Sequence, residues 1–458
     1  MKMQSDTICA LATPPGAGAI SVLRVSGPQC LEIVDKVVRF RNGSAVLTPG
    51  GRVKFGEVLS DGVLIDEVLV SIFRAPHSYT GEDSAEISCH ASAFVASSLM
   101  ELLCAAGCRP AEPGEYTRRA FLNGKMDLAQ AEAVADVIAS SSAAAHRVAI
   151  SQMRGEYSSE LRRLRDRMLE LSTLLELELD FSEEEVEFAD RSRLLSLLDE
   201  SIAHISALVR SFKAGNAIKN GVPVAIVGDV NAGKSTLLNA LCGEDRSIVS
   251  DMAGTTRDTV EETLTLSGVL YRFVDTAGIR QTTDYVEKKG VERSLRAISK
   301  ASLVLCVLDA TLPCGQLAAL ARSFESRVSD GQGLMFLLNK CDLADVPSSA
   351  LATSRPVLKV SAKNGLGLQE LREQIVRLSP ASVSSEGSLV TNLRHLNALR
   401  EALLSLDAAR DALLGSIPTD LVAEDLRAAI ASLSSILGED ITTEHILGEI
   451  FSRFCIGK

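Results

Sequence analysis

The sequence predicts a multidomain protein: an α+β domain, then an α-helical bundle, with a doubly wound α/β domain inserted into that bundle. Three observations support this prediction. Short strand-like runs with Gly/Pro turns occupy the first part of the chain, helical periodicity follows and later resumes, and strands and helices alternate in between. We place the α+β domain at 1–122, the helical domain at 123–215 and 388–458, and the inserted domain at 216–387.

Length and composition are typical of a globular protein. The chain has 458 residues, enough for about three domains, with a formal net charge of −12 and 46% hydrophobic residues. No apolar stretch reaches the roughly 18 residues of a membrane span, and the N-terminus has no apolar signal region, so we expect a cytoplasmic protein without membrane contact. The ten cysteines show neither a CxxC pair nor zinc-type spacing, which favours reduced thiols.

The strand-like runs Ala19–Val25 and Glu67–Phe73 indicate the first domain. Helical periodicity then takes over, and a polar linker at 379–388 precedes its return. Because apolar helix stripes need partners, we expect both helical halves to pack together. The two stripes are Leu161, Leu164, Met168, Leu171 and Leu175, then Leu393, Leu396, Leu399, Leu403 and Leu406.

Short apolar runs alternate with helical segments in the inserted domain, which is typical of a doubly wound parallel sheet. The predicted strands are Val224–Val227, Tyr271–Val274, Leu303–Leu308, Leu334–Leu338 and Val357–Val360.

A phosphate-binding loop follows the first of these strands. Gly228–Ser235 fits GxxxxGK[ST] and precedes a helical segment. Its glycines let backbone N–H groups surround phosphates, Lys234 neutralises them and Ser235 can ligate Mg²⁺. We assign nucleotide binding to Asn231, Ala232, Gly233, Lys234, Ser235 and Thr236.

Further motifs indicate guanine and the γ-phosphate. The Asp342 carboxylate can accept hydrogen bonds from guanine N1 and N2, a donor pair that adenine lacks. Thr255 or Thr256 can close over Mg²⁺. Together with the phosphate loop, these motifs resemble the five signatures of a GTPase, in the correct order. The candidate nucleotide-binding residues are Asn339, Lys340 and Asp342; Ser361, Ala362 and Lys363; and Asp275, Thr276, Ala277 and Gly278.

One position departs from the Ras-like pattern. Ile279 stands where those proteins carry the glutamine that orients the attacking water. Glu287 is the candidate substitute, with Asp284 or a residue from a partner as competitors, and a solvent-exposed charge as the alternative reading. Asn231 is either a turn former or an oxygen ligand for a monovalent cation, which could replace an arginine finger.

The chain resembles the MnmE (TrmE) family of tRNA-modification GTPases from end to end. The resemblance implies an N-terminal folate-binding and dimerising domain, a helical domain and an inserted Ras-like G domain. The segments that carry it are Ala12–Gly16, Leu23–Gly27, Tyr79–Asp83, Pro113–Lys125 and Phe454–Lys458.

The resemblance also implies roles for individual residues. GTP turnover would require K⁺, with Glu287 acting on the hydrolytic water. The implied K⁺ ligands are Asn231, Ser250, Met252 and Thr255, the Mg²⁺ ligands are Ser235 and Thr256, and the folate-pocket residues are Arg24, Glu82, Lys125 and Lys458. Cys455 is either a nucleophile toward uridine or a buried thiol that packs the tail.

By this resemblance, a homodimer would act with the flavoprotein MnmG, as a heterotetramer or larger assembly. It would add aminomethyl or carboxymethylaminomethyl groups at C5 of the wobble uridine of tRNA, with 5-formyl- or methylene-tetrahydrofolate as carbon donor. The alternatives are a ribosome-assembly switch GTPase and a stand-alone folate-dependent methyltransferase. Two basic clusters, Arg118–Arg119 and Arg162–Arg163 with Arg165 and Arg167, are candidates for tRNA contact or for ion-paired helix surface.

Overall fold

The computed structural model describes residues 6–180, 191–243, 262–274, 295–329, 331–380, 388–415, 419–439, 444–452, 454 and 457. The chain divides into two compact units. The first comprises residues 1–135, 153–158 and 431–458, and the second comprises residues 136–152 and 159–430. The domain boundaries drawn from the sequence remain predictions.

The strands are β1 (Ile8–Leu11), β2 (Ile20–Ser26), β3 (Val38–Phe40), β4 (Arg52–Ser60), β5 (Val63–Phe73), β6 (Ser84–His90), β7 (Arg109–Pro110), β8 (Val222–Gly228), β9 (Glu262–Leu266), β10 (Val269–Phe273), β11 (Leu303–Asp309), β12 (Gly333–Asn339) and β13 (Val357–Lys359). The helices are α1 (Cys30–Val37), α2 (Ala93–Ala105), α3 (Glu115–Leu122), α4 (Leu128–Ala139), α5 (Ala143–Met153), α6 (Glu156–Asp180), α7 (Arg191–Asn220), α8 (Lys234–Cys242), α9 (Cys314–Glu325), α10 (Leu368–Leu378), α11 (Leu393–Leu414), α12 (Thr419–Leu437) and α13 (Glu444–Phe451). None of the helices in the described ranges is both long and apolar enough to cross a membrane.

The first unit contains a seven-stranded sheet in the order β3-β4-β5-β6-β2-β1-β7. Its pairs are antiparallel except for β1 with β7. Alternation along β5 buries Val68, Val70 and Ile72 on one face, where they pack in one core with Ile33 of α1 and Leu99 of α2. The predicted strands Ala19–Val25 and Glu67–Phe73 are confirmed as β2 and β5.

The C-terminal tail belongs to this unit. Leu447 and Phe451 of α13 pack on Leu128 of α4. Gly457 has φ +92°, and a Cβ built there would lie 2.6 Å from the Leu11 carbonyl oxygen. Only glycine allows so close an approach, so the tail is fixed against the end of β1.

In the second unit, α7 packs on α11. The whole predicted stripe from Leu161 to Leu175 is buried, which confirms it as the core face of α6. The later stripe is partly wrong: Leu396, Leu399 and Leu406 are buried, but Leu403 is half-buried and Leu393 is 59% exposed. Leu393 is the first residue of α11.

The second sheet has six strands in the order β13-β12-β11-β8-β10-β9. The five predicted strands are confirmed as β8 and β10 to β13, and they run parallel. The edge strand β9 is antiparallel to β10, which corrects the expectation of an all-parallel sheet. Buried apolar side chains fill both faces, with α8 and α10 on one and α9 on the other. This double layer holds the carboxyl ends of β8, β11 and β12 in place.

Candidate functional site

The phosphate loop joins β8 to α8. Gly233, the residue before α8, has φ +92°, and Asn231 is left-handed at φ +64°. The reversal turns the N-terminus of α8 toward the loop, and the backbone N–H groups and dipole of a helix N-terminus favour an anion. The conformation of Asn231 fits its reading as a turn former, while its role as a cation ligand remains a prediction.

Lys234 lies at the start of α8, and its ammonium group bridges its own loop. Nζ donates to the Gly228 carbonyl oxygen at 2.8 Å and to that of Asp229 at 2.6 Å. Burial lowers the pKa of Lys234. An anion in the loop would restore a charged partner to this ammonium, which matches its predicted role. Ser235 is half-buried and Thr236 is exposed on the first turn of the same helix.

Asn339 connects the phosphate loop to both predicted guanine motifs. It is the last residue of β12 and is only 3% exposed. Its Nδ2 donates to the Ala232 carbonyl oxygen at 2.8 Å, and its Oδ1 accepts from the Ala362 N–H at 3.0 Å. The structure therefore brings together three segments that the sequence assigned to one site.

Asp342 and Lys363 are exposed on either side of this bridge. Ser361 is buried, and its hydroxyl accepts from the Asn364 N–H at 3.3 Å. Asp342 is therefore exposed on the loop that Asn339 anchors, and exposure leaves its carboxylate accessible to a base.

Asp309, at the end of β11, was not among the predicted site residues. Its carboxylate accepts from Lys340 Nζ at 2.5 Å. Burial raises the pKa of this carboxyl, but the bonds from Lys340 and Thr311 outweigh burial and lower it. The position of Asp309 at the end of a predicted strand could have indicated it, because parallel strands place their carboxyl ends at one edge of the sheet.

In the first unit, Arg24 lies within β2. Its guanidinium donates to Glu86 Oε1 at 2.8 Å and to the Gly457 carbonyl oxygen at 3.3 Å. It also lies over the rings of Tyr79 and Tyr116, at 5.5 and 5.6 Å from their centroids. Arg24 therefore joins the sheet to the C-terminal tail at Gly457.

Glu82 lies on the loop that also carries Tyr79. Its Oε2 accepts from the Ser26 hydroxyl at 2.8 Å. The stem of Lys125 packs on Gly81, since its Cδ lies 3.4 Å from a Cβ built there. Lys125 Nζ donates to the Pro76 carbonyl oxygen at 2.9 Å. The structure therefore places Glu82 and Lys125 around one loop, which reaches Arg24 through Tyr79.

A buried charge network supports this loop. Arg119 is 2% exposed, and it donates to Asp6, Glu82 and Glu115 at 2.9, 3.2 and 3.0 Å. Burial raises the pKa of Glu115, but bonds from Arg109, a backbone N–H and Arg119 outweigh burial and lower it. Arg119 was missed as a partner of Glu82, because the sequence separates them by 37 residues.

The predicted basic clusters consist largely of ion-paired side chains. Arg119 is buried, so it is excluded as a surface for tRNA. Arg165 pairs with Asp166 at 2.9 Å, and Arg167 lies 3.9 Å from Glu200.

The remaining predicted site residues lie outside the described residues. They are the switch and metal candidates Ser250, Met252, Thr255, Thr256, Asp275, Thr276, Ala277, Gly278, Ile279, Asp284 and Glu287, and the tail residues Cys455 and Lys458.

The six-stranded sheet, the phosphate loop and the asparagine that ties it to the guanine motifs define a P-loop GTP-binding domain. Family comparison agrees with the rest of the architecture: residues 7–125 match the family described as "GTP-binding protein TrmE N-terminus", and residues 128–455 match "MnmE helical domain". The chain belongs to the MnmE family of tRNA modification GTPases.

Curated relatives match over at least 98% of their length. A protein of Parabacteroides distasonis is 47% identical over 99% of this chain and 100% of its own. One of Bacteroides thetaiotaomicron is 48% identical over 100% of both chains. A third, of Cytophaga hutchinsonii, is 45% identical over 99% of this chain and 98% of its own. Each carries the name tRNA modification GTPase MnmE.

Proposed function

We propose that this protein is a cytoplasmic GTPase that acts with the flavoprotein MnmG on tRNA. Together they add aminomethyl or carboxymethylaminomethyl groups at C5 of the wobble uridine, with carbon from 5-formyl- or methylene-tetrahydrofolate. The observation that carries this proposal is the match to tRNA modification GTPases over the full length of both chains.

The geometry of the G domain supports the nucleotide part of the proposal. Lys234 and the N-terminus of α8 would hold the phosphates, and the Asp342 carboxylate would accept hydrogen bonds from the guanine edge. Ser235 would hold Mg²⁺, which neutralises developing phosphate charge when bound. Glu287 would act on the hydrolytic water, because Ile279 offers no polar group there.

The nucleotide cycle has a conformational role in this proposal. One-carbon transfer does not chemically require GTP hydrolysis, so GTP binding would bring the G domains of a homodimer together and hydrolysis would release them.

Exposed apolar side chains support dimerisation of the first unit. Val53 on β4 and Leu69 on β5 lie on the same face of the sheet, opposite the buried core.

The first unit supports binding of a folate. Tyr79 offers an aromatic ring, Glu82 a carboxylate for a pterin edge, and Arg24 and Lys125 cations for a glutamate tail. These groups lie on elements that the buried Arg119 network holds together. A ribosome-assembly switch would have no use for them, so 5-formyltetrahydrofolate binding separates the two readings.

Deletion of the gene is expected to abolish C5-aminomethyl-type wobble uridines, and its restoration is expected to return them. Mass spectrometry of nucleosides from purified tRNA measures both. Unchanged nucleosides in the deletion strain would contradict the proposed substrate and favour the switch GTPase. Activity of the purified protein without any flavoprotein would instead favour the stand-alone methyltransferase.

Replacement of K⁺ by Na⁺ is expected to lower kcat for GTP by at least about tenfold, because a cation beside the phosphates would stabilise developing charge. Asn231→Gly sharpens this test. Glycine accepts the left-handed φ of +64° but lacks the side-chain oxygen. The variant should bind GDP as before and lose K⁺ stimulation. Equal wild-type rates in the two salts would remove the potassium hypothesis.

A further inference from the structure

The ion pair between Asp309 and Lys340 fixes the loop that carries the guanine motif. Asp309 ends β11 and Asn339 ends β12, and the two residues are paired in the sheet register. The chain turns immediately afterwards, with Lys340 left-handed at φ +64°. This turn directs the Lys340 side chain back to β11, where its ammonium meets the carboxylate at 2.5 Å.

Both oxygens of the Asp309 carboxylate accept hydrogen bonds. Its second oxygen, Oδ1, accepts from the Thr311 N–H at 3.0 Å and from the Thr311 hydroxyl at 2.7 Å. Its side chain is 17% exposed and that of Lys340 is 33% exposed. The pair is therefore partly shielded from water, which strengthens it relative to a surface pair.

The backbone on both sides of Lys340 is held as well. Asn339 is anchored through Ala232 and Ala362, and the Ala310 N–H donates to the Asn339 carbonyl oxygen at 2.9 Å. With the backbone and the ammonium both fixed, the alkyl stem of Lys340 has one path. That stem runs from the loop that carries Asn339 and Asp342 to the carboxylate at the end of β11.

We propose that Asp309 is a positioning residue of the guanine site, which holds the Lys340 stem as a preformed wall for the base. This inference rests on the proposed GTP binding. Without the carboxylate, Lys340 would have to be ordered when the nucleotide binds, which weakens affinity. Chemistry at the phosphates would proceed unchanged once the nucleotide is bound.

Asp309→Asn keeps the shape and an oxygen for Thr311 but removes the charge that holds Lys340. We expect GDP affinity to fall about three- to tenfold, KM for GTP to rise by a similar factor and kcat to stay the same. Fluorescence titration with a labelled GDP and steady-state hydrolysis measure these quantities. A merely structural loss would lower the thermal midpoint without this separation of KM from kcat.

A double-mutant cycle tests whether Asp309 acts through Lys340. Lys340→Met keeps a long unbranched stem and removes the ammonium, so it should weaken GDP binding about as much as Asp309→Asn does. The double variant should then lose no more than either single variant. The matched control is Asp345→Asn, since Asp345 pairs with Lys359 at 2.6 Å but is 89% exposed, and it should bind GDP like wild type.

The outcomes separate this inference from the proposed function. Wild-type affinity in Asp309→Asn, or additive losses in the double variant, would overturn the positioning role alone. A wild-type protein that binds no GDP would overturn both the role and the proposed function. If Asp309→Asn failed to fold, the Lys340→Met variant would still decide, because unchanged GDP affinity there would overturn the inference.

Discussion

Gly233→Ala is expected to weaken guanine-nucleotide binding roughly a hundredfold. A Cβ built at this position lies 2.2 Å from Nδ2 of Asn339. Real carbon atoms cannot approach an amide so closely, so the methyl group must displace the side chain that joins the phosphate loop to the guanine motifs. The left-handed φ of +92° adds strain. Overpacking and strain together cost about 3 kcal/mol, and each 1.4 kcal/mol corresponds to about tenfold in affinity.

Gly315→Ala is the matched control for this prediction. Gly315 lies in α9, and a Cβ built there meets nothing within 4 Å. Alanine favours helix over glycine, so this variant should bind GDP like wild type and be as stable or slightly more so. Calorimetric titration with GDP compares the two. If Gly233→Ala bound GDP as tightly as Gly315→Ala, the coupling between the phosphate loop and Asn339 would be refuted.

Buried strands were the part of the fold that the sequence predicted best. β8, β11 and β12 are central and covered on both faces, so they read as continuous apolar runs. The edge strand β9 was missed because it is half-buried: Glu262 to Leu266 alternates polar and apolar residues and lacks the continuous apolar run of the central strands. Leu393 was misassigned because a helix-end residue can keep the period and still face water.

Site residues were predictable where one short motif contained all of them. The phosphate loop is such a motif, and its geometry follows from its glycines. The pair of Asp309 with Lys340 spans 31 residues and that of Arg119 with Asp6 spans 113. Only the fold brings the two members of each pair together, so no local spacing could have indicated either pair.

Arg119→Met is expected to destabilise the first unit by about 3–5 kcal/mol, because it removes the buried cation that Glu82 and Glu115 share, and of these two carboxylates only Glu115 keeps Arg109 as a partner. Glu115 has a fully buried side chain, and Glu82 is largely buried. Methionine fills much of the volume of the arginine side chain, so the loss of stability reflects the missing charge more than a cavity. We expect the thermal midpoint to fall by roughly 10 °C near pH 7, with 5-formyltetrahydrofolate binding weakened because Glu82 loses its support.

The pH dependence distinguishes charge from packing. Burial raises the pKa values of Asp6 and Glu115, but their bonds to Arg109 and Arg119 outweigh burial and lower both. A carboxyl whose pKa is lower in the folded protein than in the unfolded protein stabilises the fold at a pH above its unfolded pKa. The unfolded pKa is near 3.8 for Asp6 and near 4.5 for Glu115. That contribution is lost as the pH falls through the folded values.

Wild type should therefore lose stability more steeply than Arg119→Met below about pH 4, and the gap between their midpoints should narrow. Arg39→Met is the control, because Arg39 is exposed and its ion pair with the half-buried Glu57 is open to solvent. Its midpoint should follow wild type across the same range. A constant gap between wild type and Arg119→Met from about pH 7 to about pH 3 would show that packing, and not the ion pairs, carries the stability.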